Sequence, residues 1–261
     1  MNLSLKRTLD YHYHFFCRER LSPDPLELPH KFNDERDIEL AAFIASVFAY
    51  GNVKQILNTL TGLEKIITRH PYEFIQNFSR KDHKYFKDLK HRFYTDKDII
   101  SLFGILNKVI LNYGSIKQLF LLYYFEDEKN LKNSISSFVT NLINLCSHCS
   151  DETLITAGLK FMFPDPLKGS ACKRMNLFLR WMVRKDELDF GLWSEVSTSQ
   201  LVIPVDTHVA RICKELKLTK RKTASWLMAE EITEKLKKYD PVDPVKYDFA
   251  ICHIGMRNME F

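Results

Sequence analysis

The stretch Ile38-Glu-Leu-Ala-Ala-Phe-Ile-Ala-Ser-Val-Phe-Ala49 limits the possible folds more than any other. It is apolar around nearly the whole circumference of a helix, so other elements must wrap it and it must lie in a core. Asn33 and Asp34 are both suitable caps for its start, and Tyr50-Gly51-Asn52 ends it. A buried helix that stops in Tyr-Gly-Asn sets a ring and an amide, Tyr50 and Asn52, at the mouth of a pocket. The plainer role for these residues is a glycine-terminated helix end. Elsewhere, apolar periods near 3.6 outnumber alternating ones and only eight glycines occur, so the chain reads as all-α. Its 261 residues suffice for one large domain or two small subdomains.

Several classes are disfavoured. No apolar run reaches the length of a membrane span, and Met1 to Asp10 has no signal-peptide core, so the expected location is the cytoplasm. The six cysteines show no disulfide framework. Cys146-Ser-His148-Cys149 holds one Cys-x-x-Cys pair without a second, too little for a zinc site, and no metal is expected. A net charge of +5 is compatible with an anionic partner without requiring one.

In chain order, Leu3 to Arg20 reads as a helix, and the three prolines in Ser22 to Pro29 as a linker. Helices follow from Val53 to Thr68, from Pro71 to Phe78 and from Asp96 to Tyr113, the last closed by Gly114. Arg80 to Lys97 interleaves basic and aromatic residues as a single-stranded nucleic acid would require, although a solvated helix face explains the same composition. Ser115 to Gln118 looks like a capping box, and Leu131 to Cys149 like an amphipathic helix. Asp243-Pro244 suits a helix start, with Asp as cap and Pro in the first turn.

Two positions carry potential chemistry. In Leu201-Val-Ile-Pro-Val-Asp206-Thr-His208, a β-leaning run stops at Pro204, and Val209, Ile212, Cys213 and Leu216 then recur at helical spacing. Asp206 thus falls where its carboxylate caps a helix and sits in the positive end of the dipole. Lys173 opens another helix after the Phe163-to-Ser170 turn, an unfavourable place for a cation. The bland reading is a surface lysine. The sharper one is an amine made nucleophilic by Arg174, Arg180 and partial burial. Gly169 and Ser170 offer backbone N–H groups to an anion such as a phosphate. Lys214, Lys217, Lys220, Arg221 and Lys222 form the densest basic cluster in the chain.

Together, Gly169-Ser-Ala-Cys-Lys-Arg174, Phe178-Leu-Arg-Trp-Met-Val-Arg184, Pro204-Val-Asp-Thr-His208 and Asp243-Pro-Val-Lys-Tyr-Asp248 resemble the helix-hairpin-helix superfamily of DNA glycosylases and abasic-site lyases. The likeness spans nearly the whole chain and is strongest to a bacterial branch of that superfamily. Asp206 follows Lys173 by 33 positions, a spacing similar to that of the archaeal 8-oxoguanine DNA glycosylases. The resemblance implies two helical subdomains with a cleft between them. These are a helical-barrel subdomain with a degenerate hairpin over 35–200, and a second subdomain from 1–34 plus 201–261. It implies base excision from damaged duplex DNA by a monomer, with an oxidised purine as a candidate lesion. Lys173 would be the nucleophile and Asp206 the catalytic carboxylate. Tyr50, Asn52, Arg180, His208, Asp248 and His253 would line the substrate pocket. Gly169, Ser170 and the Lys214-to-Lys222 cluster would contact the DNA backbone.

The chain also departs from the pattern. A Leu-Pro-Gly-Val-Gly-like hairpin is absent, and Phe163 to Ser170 only approximates it. The four C-terminal cysteines of the iron–sulfur members are missing, so no cluster and no cofactor are expected. Two rival readings remain. One is a non-catalytic nucleic-acid-binding protein on the same fold. The other is a metal-dependent phosphohydrolase using Asp206, His208 and His253.

Overall fold

The computed structural model describes residues 3–147, 155–257 and 259. His148 and Cys149 of the cysteine pair considered above therefore lie outside the described residues. Among the described residues the fold is helical, and no strand forms. In order the helices are α1 (Leu3–Phe15), α2 (Glu35–Phe48), α3 (Val53–Ile67), α4 (Pro71–Gln76), α5 (Asp96–Tyr113) and α6 (Ile116–Leu121). Then come α7 (Lys132–Ser147), α8 (Ala157–Met162), α9 (Lys173–Val183), α10 (Thr207–Glu215), α11 (Trp226–Leu236) and α12 (Asp248–Arg257). Among the described residues, no helix is long and apolar enough to cross a membrane.

The chain divides into two compact units. The first comprises Met1–Ser22, Phe125–Asn133 and Asp165–Phe261; the second comprises Pro23–Tyr124 and Ser134–Pro164. This division differs from the boundaries expected at 34/35 and 200/201. The segment after Ser22 goes with the second unit because it is not a linker. Asp24 makes a capping box there, and Leu26 and Leu28 are buried. In turn α9 goes with the C-terminal helices, Arg180 on it and Arg184 just after it being ion-paired to Asp248 and Asp243.

In the second unit α2 is the central helix its composition demands, buried without interruption from Asp37 to Phe48. Two of its buried residues are acidic, and each caps another helix. Asp37 Oδ1 accepts the Tyr72 N–H of α4 at 2.7 Å. Glu39 Oε2 and Oε1 accept the Ile116 and Lys117 N–H groups of α6 at 2.8 and 3.0 Å. Unpaired helix-start donors held away from water are costly. Glu39→Ala is therefore expected to cost about 2–3 kcal/mol, read as a fall in melting temperature, with Glu39→Gln costing about half of that.

Three local expectations change. The Leu3 helix stops at Phe15 and gives way to a 3-10 turn at Arg18–Arg20. Arg80 to Lys97 is not a helix face: Arg80–Phe86 is a 3-10 turn, and His91 pairs with Tyr94 across a tight reversal. Asp243 does not cap the last helix with its side chain; Pro244–Tyr247 is a 3-10 turn, and α12 begins at Asp248. Asp243 is drawn instead to Arg184, whose Nε lies 2.8 Å from Oδ1.

Candidate active site

Asp206 is fixed by its own helix. The extended run 201–205 is buried, and Ile203 N–H donates to Thr233 Oγ1 at 3.0 Å, which holds the approach to α10. Asp206 is the N-cap, and its Oδ1 accepts the N–H groups of His208 at 2.9 Å and Val209 at 3.0 Å. With Oδ1 committed, Oδ2 is the oxygen left to face another group.

That group is Lys173. It begins α9 directly after Cys172, which holds the left-handed conformation (φ 47°, ψ 37°) and supplies no side-chain cap. A non-glycine residue in that region is uncommon and turns the chain abruptly. Lys173 Nζ stands 3.9 Å from Asp206 Oδ2, each side chain about one-quarter exposed. A lysine and an aspartate 33 positions apart, each opening a different helix, thus meet at the edge of the first unit's core.

Beneath them α9 is unusually polar for a buried helix. Arg180 is 2 % exposed; its Nη1 donates to Asp248 Oδ2 at 2.6 Å, and its Nε and Nη2 donate to Asp189 Oδ1. One turn on, Arg184 bonds Asp243, Asp186 and Asp189. Arg180 therefore belongs to a buried ionic lattice under the Lys173–Asp206 pair. Asp248 is buried with it, and burial pushes its carboxyl up to about 6, against the pull of Arg180 and with the help of Asp206. Asp186 and Asp189 did not stand out in the sequence. Their signal is an Asp-x-x-Asp step closely following Arg180 and Arg184.

The remaining candidates separate. His208 is exposed, whereas His253 is wholly buried and stacks on Phe249 at a centroid distance of 3.9 Å. Among the described residues, no group of three or more His, Cys, Asp or Glu side chains is placed to hold a metal ion. Gly169 adopts φ 86°, and its carbonyl accepts the Trp226 N–H at 3.1 Å. Ser170 Oγ accepts Cys172 N–H at 3.2 Å. Within the basic cluster, Lys214 Nζ donates to Lys222 O, and Arg221 pairs with Glu231 at 3.2 Å. Arg211, Lys214, Glu215 and Lys222 line a hollow of about 390 Å³ that begins at Thr207, next to Asp206. Arg211 was not anticipated as part of it. Trp181 and Phe178 are core residues.

Tyr50 and Asn52 belong to the second unit. Tyr50 lies under the Arg92 guanidinium at 4.5 Å and edge-on to Phe161 at 4.8 Å. Asn52 caps α3 by accepting the Lys54 N–H at 2.9 Å, and Gly51 between them takes φ 107°. A Cβ at Gly51 would meet only the flexible Arg92 side chain, which can shift, so it is the backbone conformation that favours glycine there.

Such an arrangement defines a helical protein with an amine–carboxylate pair poised above a buried ionic lattice. Residues 24–257 match the family described as "Protein of unknown function (DUF2400)", and the chain belongs to that family. Neither a curated protein nor a solved structure matches it.

Proposed function

We propose that the protein is a DNA base-excision glycosylase with abasic-site lyase activity on a helix-hairpin-helix glycosylase fold, and that it acts on damaged duplex DNA. The observation that carries this reading is the 3.9 Å approach of Lys173 Nζ to Asp206 Oδ2 at two helix starts. Amine nucleophiles need a nearby carboxylate when positive charge develops on a sugar. The target nucleotide is extruded from the duplex, which is cheapest for a poorly stacked or mispaired base. Lys173 Nζ attacks the anomeric carbon as the N-glycosidic bond breaks and the base leaves with the bonding electrons. Asp206, hydrogen-bonded by its helix-start amides, stabilises the oxocarbenium-like charge. The bond from the anomeric carbon to the ring oxygen then breaks, its electron pair staying on the oxygen, which is protonated, while nitrogen forms a Schiff base at Lys173; loss of a proton from the adjacent carbon next expels the 3′-phosphate by β-elimination and cuts the strand.

The Lys214-to-Lys222 cluster and Arg211, beside Asp206, supply positive charge for the phosphate backbone. Affinity on this reading falls steeply with salt.

The test is borohydride trapping of the full chain on duplexes carrying abasic sites and a panel of damaged bases, 8-oxoguanine first. A covalent adduct that peptide mass mapping places at Lys173 supports the reading. Salt-sensitive binding with no adduct on any duplex overturns it in favour of a non-catalytic binder.

A further inference from the structure

Arg92 and Phe93 form the tip of the tight reversal in the second unit, and the feet of that reversal are fixed. His91 and Tyr94 exchange backbone hydrogen bonds at 3.0 and 2.9 Å, and both side chains are buried. His91 Nε2 donates to the Tyr50 carbonyl at 3.0 Å, and its Nδ1 lies 2.9 Å from Thr59 Oγ1 on α3. Tyr94 packs edge-on against Phe48 of α2 at 5.7 Å. The tip is thus mounted on two helices. Arg92 takes φ 54° at the first tip position, where a two-residue reversal ordinarily carries glycine. An arginine stands there instead, followed by a phenylalanine that is 63 % exposed.

Three rings and one guanidinium meet at this tip. Phe161 of α8, 39 % exposed, lies 4.8 Å from Tyr50 and 6.1 Å from Phe93 between centroids. Tyr50 and Phe93 are 6.2 Å apart. The Arg92 guanidinium rests over Tyr50 at 4.5 Å, a contact that steadies the cation and leaves its N–H edges for an anion. From Arg80 to Lys97 the chain carries seven lysines and arginines against three aspartates, and none of the seven is ion-paired among the described residues. Lys90 and Lys160, close in the chain to Arg92 and Phe161, are exposed. Rings left in water beside uncompensated cations suit a ligand that brings both flat faces and negative charge.

We propose that this tip is a second nucleic-acid site, a stacking platform for unpaired bases of single-stranded DNA. Phe93 and Phe161 take the base faces, and Arg92, Lys90 and Lys160 take the backbone phosphates. A duplex suits it poorly, because paired bases are stacked on one another and offer no free face. The platform stands on the rings and charges of the second unit; only the choice of DNA over RNA rests on the glycosylase reading above.

The test is fluorescence anisotropy of the full chain with labelled strands of about 15 nucleotides, oligothymidylate and a base-free strand of the same backbone. Oligothymidylate is expected to bind roughly 10-fold more tightly than the base-free strand. Phe93→Ala is expected to remove most of that preference and to leave base-free affinity and the melting curve close to wild type, whereas Phe93→Trp retains the preference. Arg92→Ala should weaken both strands alike and flatten the salt dependence. Equal affinity for the two strands overturns the inference, as does a preference that survives Phe93→Ala. Self-association abolished by Phe93→Ala, without oligothymidylate binding, overturns it in favour of a second copy of the chain. Tighter binding of oligouridylate than of oligothymidylate overturns the choice of DNA. A Lys173 adduct without a preference for oligothymidylate defeats only the platform, whereas the preference without an adduct on any damaged duplex defeats only the glycosylase reading.

Discussion

On the proposed lyase reading, an Asp206→Asn variant is expected to fold with α10 intact but to form its covalent adduct about 100- to 1000-fold more slowly than wild type. The two halves of this expectation have separate causes. Asparagine is as good an N-cap as aspartate, so the bonds to His208 and Val209 N–H survive. What is lost is the negative charge. At the helix dipole that charge contributes about 0.3–1 kcal/mol to stability. Opposite the oxocarbenium-like charge of the proposed reaction it would lower the barrier by roughly 3–4 kcal/mol. The rate effect should therefore dwarf the stability effect. Asp206→Ala removes cap and charge together, so the pair of variants separates architecture from chemistry. Single-turnover trapping beside a melting curve reads both quantities, and an Asn variant within threefold of the wild-type rate would reduce Asp206 to a cap.

The parts of this molecule that were legible in the sequence are those governed by neighbours along the chain. Asp206 could be placed because Pro204 stops an extended run and apolar residues resume at helical spacing beyond it. The α2 core helix was visible in its composition, and α5 in the Gly114 that closes it. Lys173 showed itself as an oddity, a cation where the helix dipole disfavours one. The failures are long-range. Nothing near Asp243 reveals that Arg184 takes its carboxylate, so a good helix-start signal became a 3-10 turn. The α8 helix, only six residues long, has no periodicity to read; it is held by Thr156, whose hydroxyl donates to the distant Asp98. The unit boundary at Asp165 carries no composition shift, because it is set by where buried arginines find their counterions.

The same lattice gives a large expected stability effect. Arg184→Met should cost about 3–5 kcal/mol and lower the melting temperature by roughly 10 °C. Arg184 is 3 % exposed and serves three carboxylates. Its Nε lies 2.8 and 3.0 Å from the Asp243 oxygens, Nη2 lies 2.9 Å from Asp186, and Nη1 bonds Asp189. Removing it leaves Asp189, wholly enclosed, with only Arg180 as a counterion, and an uncompensated buried charge costs more than a lost pair contributes. Arg184→Lys should rescue little, since one ammonium cannot span three acceptors in a planar fork. Acid dependence supplies a second readout. Burial alone would raise the Asp186 carboxyl, but Arg184 and the Leu188 and Asp189 amides outweigh it and hold the group below its ordinary 3.8. A carboxyl lowered on folding stabilises the native state above its unfolded pKa, and that contribution disappears as pH falls through the folded value. Wild type should accordingly lose this increment only below about pH 4, and Arg184→Met should lack most of it. Equal acid sensitivity in the two proteins would mean that the Asp186 charge is held by its backbone amides alone.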